Sequence, residues 1–158
     1  MDVTRKIFLI LFILMSVVQV LNASELQACL TKANRTAHIV DREDQIRECF
    51  KNKNNLKNLT GLQCFQLVAN NATVQKLQNL KENLNAICFF DVAQFTTPQQ
   101  CLNQMGVFQS ADQHDEAVFT CYKKFQEKIN KVNCQQIAKY MIYDDKKEVL
   151  NRRCDQLN

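Results

Sequence analysis

The chain has 158 residues, with 20 Lys and Arg against 16 Asp and Glu, for a formal charge of +4. Basic and acidic residues interleave, which excludes a broad basic stripe for nucleic acid. Two glycines and one proline are too few turn formers for a fold built from β-hairpins.

Residues 1–23 read as a secretory signal. Arg5 and Lys6 supply the positive start, and Ile7 to Val18 is apolar apart from Ser16. Ala23 suits the last position before cleavage. The apolar run is short for a transmembrane span and no second run follows, so no membrane span is expected after cleavage. The segment 24–158 is then expected to form one compact secreted, extracellular domain with a modest core.

Four Asn-x-Ser/Thr patterns occur, at Asn22, Asn34, Asn58 and Asn71. Asn22 would leave with the signal. Asn34, Asn58 and Asn71 are the candidate glycosylation sites, and a glycan requires each to be exposed.

Apolar residues recur at spacings of three and four, which places them on one side of a helix. Leu26, Cys29, Leu30, Ala33 and Ala37 share a face, as do Ile46, Cys49 and Phe50. Val74, Leu77, Leu80, Leu84, Ile87 and Cys88 form the longest stripe, and Val118, Cys121, Tyr122, Phe125 and Ile129 the next. Cys134, Ile137, Ala138 and Met141 follow, then Leu150, Cys154 and Leu157. The aromatic side chains are expected mostly in the core. Asp41, Ser110 and Asp144 are candidate N-caps, and Thr97 is a cap with Pro98 at the first helical position. Helices are predicted near 25–37, 41–54, 62–70, 73–90, 98–108, 112–130, 133–142 and 145–156.

Each predicted helix carries one cysteine: Cys29, Cys49, Cys64, Cys88, Cys101, Cys121, Cys134 and Cys154. The absence of close pairs such as CxxC weakens a zinc reading. An even, widely spaced set behind a signal reads as four disulfides. Consecutive antiparallel helices bring two cysteines together when the turn lies midway between them. The midpoints favour 29–49, 64–88, 101–121 and 134–154. A rival phase, 49–64, 88–101 and 121–134 with Cys29 to Cys154, also crosses turns.

The ladder repeats. Gln27-Ala28-Cys29-Leu30 matches Gln99-Gln100-Cys101-Leu102, and Cys49-Phe50-Lys51 matches Cys121-Tyr122-Lys123. Leu62-Gln63-Cys64 matches Val132-Asn133-Cys134, and the Lys81–Cys88 block matches Lys147–Cys154. Blocks that match in order point to a tandem duplication, with units of about 24–91 and 94–158.

Catalytic parts are scarce. After Ala23 the only serines are Ser24 and Ser110, and no glycine-rich loop or GxSxG elbow occurs. Ser110 and His114 are four residues apart, but Ser110 is read as a helix cap and His114 as an exposed first-turn residue. His38 and His114 are the only histidines and lack HExxH spacing. The acids Asp41, Glu43, Asp44 and Glu48 lack the alternating ligands and central glycine of a calcium loop. No catalytic residue, metal or cofactor is assigned. Lys123, Lys124, Lys128 and Lys131 form a basic run, with Arg152-Arg153 beyond it. It is read as a solvated helix face, with a heparin-like or anionic-lipid contact as the functional alternative.

The stretch from Cys88-Phe89-Phe90-Asp91 to Gln100-Cys101-Leu102 resembles part of a nematode family of secreted cysteine-rich domains of unknown function. The likeness covers the central third of the chain. It rests on the cysteine spacing and the aromatic and acidic residues after Cys88. The Cys49–Cys64 interval is longer here than that family's upstream spacing. A multi-cysteine helical haemolymph protein of insects is a looser comparison. The resemblance implies a secreted, helical, non-enzymatic protein and no active site.

The expected fold is therefore all-α, a disulfide-stapled helical bundle of two related four-cysteine units. The expected function is non-enzymatic binding of an extracellular protein or glycan. The second unit, free of glycosylation patterns, and the Asp91–Pro98 connection are the candidate surfaces. The alternative is carriage of an apolar small molecule or lipid in a helical cavity.

Overall fold

A computed structural model describes residues 24–157. The signal segment and Asn22 lie outside the described residues. The fold is all-α, and no strand occurs among the described residues. The chain divides into two compact units, the first ending at Leu80 and the second beginning at Lys81.

In the first unit, α1 (Ser24–Ala33) buries Leu26, Leu30 and Ala33 at the spacing of one helix face. The predicted extension to Ala37 does not form, and Ala37 is exposed. Instead the chain turns, with the amides of Asn34, Arg35 and Thr36 donating to the carbonyls of Leu30, Lys32 and Ala33. The Arg42 guanidinium then reaches back and donates to the Thr36 carbonyl at 2.9 and 2.6 Å. α2 (Ile39–Lys51) buries Ile46, Cys49 and Phe50. It starts after His38, so Asp41 lies in the first turn rather than at the cap. There its charge complements the positive helix end.

Short helices continue the unit. α3 (Lys53–Leu56) is capped by Asn52, whose side chain accepts from the Asn54 amide. α4 (Gly61–Asn70) opens on a capping box formed by Thr60 and Gln63, and buries Cys64 and Val68. α5 (Ala72–Gln75) is capped by Asn71, which accepts from the amides of Thr73 and Val74. α6 (Gln78–Ile87) follows and contains the boundary between the units.

The predicted helix 73–90 is thus interrupted. Three-residue hydrogen bonds from Lys76 to Thr73 and from Leu77 to Val74 close α5 early. After α6 the backbone widens into a π-turn, Cys88–Val92, where the Ala93 amide donates to the Cys88 carbonyl. This turn buries Cys88, Phe89 and Val92 and leaves Phe90 exposed.

In the second unit, α7 (Pro98–Leu102) has the predicted Thr97 cap and Pro98 first position. The predicted helix to Phe108 stops at Leu102, and a 3-10 turn, Met105–Val107, replaces its last part. α8 (Ala111–Phe125) buries Ala117, Val118, Cys121, Tyr122 and Phe125 on one face. It ends short of the predicted Asn130, in a turn before α9 (Lys131–Ala138). α10 (Asp144–Cys154) buries Leu150 and Cys154, and closes the unit against α9.

Disulfides join consecutive helices. Cys29–Cys49 links α1 to α2, Cys101–Cys121 links α7 to α8, and Cys134–Cys154 links α9 to α10. Their Cα atoms are 5.8, 5.8 and 5.4 Å apart, within the ordinary range for a bridge. Cys64 and Cys88 are also in the disulfide form, and no free cysteine remains among the described residues. The rival phase does not occur. In the three hairpins the residue before the second helix, His38, Ser110 or Tyr143, stands at the same offset from the first cysteine. None of the three side chains makes a capping hydrogen bond.

Asn71 is 6% exposed, because its side chain is turned in to satisfy two amides. Replacing it with Ala is expected to lower stability by about 1 kcal/mol, while Asn71→Asp retains the accepting oxygen and stays near wild type. Urea denaturation of both variants checks this; equal losses would show that the cap contributes nothing.

Candidate partner-binding surface

The most distinctive surface is the tip of the third bridged hairpin, between α9 and α10. Its apolar residues differ in exposure. Met141 is buried, whereas Tyr140, Ile142 and Tyr143 are 40%, 53% and 39% exposed. The amides of Tyr140 and Met141 donate to the carbonyls of Ile137 and Ala138, closing α9 in a tight turn. The next two amides have no helical partner in reach.

Asp115 supplies it. This residue sits on α8, 1% exposed, and its carboxylate faces the tip. Oδ1 accepts from the Ile142 amide at 2.7 Å and Oδ2 from the Tyr143 amide at 3.0 Å. An ionised carboxylate tolerates such burial when its oxygens are hydrogen-bonded. The negative charge also lies beside the positive end of α10, with Asp144 and Asp145 in the first turn. The backbone of the tip is therefore fixed from another helix, and its side chains are held out in water.

A second clamp lies at Tyr143. Lys146 donates to Asp112 at 2.8 Å, and its Nζ stands 4.7 Å from the Tyr143 ring centroid. The Asp112 hydrogen bond is the first cause of a raised Lys146 pKa. A lysine raised in this way contributes its full stabilisation at neutral pH. That contribution is lost only as pH climbs past the usual lysine range.

His114 departs from the sequence expectation. Its side chain is 15% exposed rather than open, because the first turn of α8 packs inward to bring Asp115 to the tip. Its Nδ1 lies 3.5 Å from Asp115 Oδ1 without a hydrogen bond. Ser110 precedes α8, but its hydroxyl makes no cap bond. Asp144 likewise lies in the first turn of α10, after Tyr143 at the cap position. Two of the four acids of α2 meet bases, Glu43 with Arg47 and Glu48 with Lys51.

The Asp91–Pro98 connection holds Phe95, half-buried against Phe89 with centroids 5.1 Å apart. Phe89 also meets Phe90 and Phe108 edge-on. Core placement holds for Phe50, Phe89, Phe108, Tyr122 and Phe125, and not for Phe90, Tyr140 and Tyr143. Of the basic run, Lys131 pairs with Asp155 at 2.9 Å, and Arg152 approaches Glu148 at 3.8 Å. Lys123, Lys124 and Arg153 instead lie over aromatic rings.

Among the glycosylation candidates, Asn34 and Asn58 are exposed. The Asn34 side-chain oxygen accepts from the Thr73 hydroxyl at 3.2 Å. The expectation of exposure fails for Asn71, whose capping role buries it together with Thr73 of the same pattern.

Comparison with protein-family models, with curated proteins and with solved structures yields no match. The resemblance at Cys88–Leu102 therefore rests on those residues alone.

Asp115→Ala leaves two amides without their acceptor. It is expected to cost about 3 kcal/mol and to release the amides of Ile142 and Tyr143 from hydrogen-exchange protection. Exchange measured by NMR at single amides checks both. Unchanged protection at the tip would show that Asp115 does not hold it.

Proposed function

We propose that this is a non-enzymatic extracellular binding protein whose protein partner docks on Tyr140, Ile142 and Tyr143. The observation that carries this reading is the buried Asp115 carboxylate fixing the backbone beneath three exposed apolar side chains. Ordering side chains and loops is a large cost of association, and a tip already ordered avoids much of it. Tyrosines concentrate binding energy because one ring offers apolar area, a hydroxyl and few rotatable bonds. The disulfides favour an oxidising compartment. The exposed Asn34 and Asn58 belong to the first unit, which leaves the second without a glycan to obstruct it.

The test is a binding screen of the secreted protein against an array of extracellular proteins and glycans. The triple variant Tyr140→Ser, Ile142→Ser, Tyr143→Ser is run in parallel. Specific protein binders are expected to lose at least about tenfold in affinity with the variant, since each exposed anchor contributes about 1 kcal/mol or more. Binders indifferent to the triple change would overturn the tip as the docking site. A stoichiometric lipid released on denaturation in native mass spectrometry would replace this reading with that of an apolar carrier.

A further inference from the structure

Phe119, half-buried on α8, carries two cations. The Arg153 guanidinium carbon comes from α10 to 4.9 Å from the ring centroid. Lys123 Nζ stands 5.4 Å from the same centroid, one helical turn further along α8. The two charges are thus no farther apart than those two distances combined, about one Debye length at 0.1 M salt. Both residues are exposed, and neither forms an ion pair among the described residues. Lys124, next to Lys123 in sequence, stands 5.7 Å from the Phe95 centroid and is likewise unpaired among the described residues.

This differs from the treatment of charge elsewhere in the unit. Lys131, Lys146 and Arg152 each meet a carboxylate. An aromatic face attracts a cation through its quadrupole and fixes its position, but leaves its charge uncancelled. Like charges gathered on one ring repel each other, and an anion placed between them relieves that repulsion.

The geometry points to a sulfated-glycan site on α8 and α10, with Lys123 and Arg153, gathered at Phe119, as its sulfate-binding cations. The Arg153 fork supplies parallel donors and Lys123 a compact charge. Lys124, over the separate ring of Phe95, is the candidate for a neighbouring sulfate. Discrete, pre-positioned cations suit a stiff chain with sulfates at set intervals. Glu116 and Glu127 on the same stretch interrupt any continuous basic face of the kind that adsorbs to anionic lipid. The site rests on an extracellular location and is independent of the Tyr140–Tyr143 tip.

The test uses the full secreted protein and a defined heparin octasaccharide, titrated over a range of salt concentrations. The Lys123→Gln, Arg153→Gln double variant is expected to bind at least about tenfold more weakly, with a salt slope shallower by about two charges. Phe119→Leu removes no charge, yet is expected to weaken binding about threefold because the cations lose their seat. Phe119→Tyr keeps a ring and is expected to bind as wild type, which covers the case of a Leu variant that folds badly. A Lys139→Gln, Lys147→Gln control removes equal charge from outside the site and is expected to change affinity less than twofold. Ile142→Ser is expected to leave heparin affinity unaltered. Equal losses in the site and control variants would reduce the effect to net charge and overturn the site. So would full affinity in a folded Phe119→Leu variant. Tighter binding to phosphatidylserine vesicles or to polyglutamate than to heparin would overturn the assignment to a sulfated glycan.

Discussion

The three equally spaced disulfides set the geometry on which the rest of the structure depends. Each closes a helix–turn–helix at a separation of 20 residues, with the turn at its middle. Closing a loop of that size restricts the unfolded chain and contributes about 3 kcal/mol on the chain-entropy view. The second helices then start at a common offset, after His38, Ser110 and Tyr143. None of these supplies a side-chain cap. The helices that start at Asn52, Thr60, Asn71, Thr97 and Asn130 all have one. In these hairpins the side-chain cap of the second helix is missing, and in two of them a charged side chain closes the turn, from within the hairpin in the first and from α8 in the third. Arg42 does this at Thr36, and Asp115 at Ile142 and Tyr143.

That arrangement explains how a chain with two glycines makes so many turns. It also explains the exposed tip. A turn closed by its own side chains spends them on the backbone, whereas the 140–143 turn borrows a carboxylate from α8 and leaves its own side chains free for contact. The Phe119 cluster follows similar logic. Two helices brought side by side present a ring, a guanidinium and an ammonium that no single segment could assemble.

What was legible in the sequence was the part encoded locally. The helix class follows from three–four spacing, and the hairpin bridges from cysteines placed evenly about a turn. Thr97-Pro98 announces its own helix start. The break within 73–90 was hidden because Val74, Leu77, Leu80 and Leu84 keep a helical period through it, while the Asn71 cap defines a separate short helix. Ser110 and Asp144 have the chemistry of caps, yet the bridged turns do not use it. Asp115 was illegible as an anchor because the amides it binds lie 27 and 28 residues downstream. A lone acid on the apolar face of a predicted helix was the only available signal. Tyr140 and Tyr143 gave no sign of exposure, since periodicity places Met141 in the core but says nothing about a turn held open by a remote group.

Peptide mapping under non-reducing conditions reads the hairpin bridges themselves. The protein is digested without reduction, and disulfide-linked peptides are sequenced by mass spectrometry. The expected result is Cys29 linked to Cys49, Cys101 to Cys121, and Cys134 to Cys154. Linkage of Cys49 to Cys64 or of Cys121 to Cys134 would contradict it, because either bridge would staple a different pair of helices, and the second would also unlink the hairpin whose tip Asp115 holds.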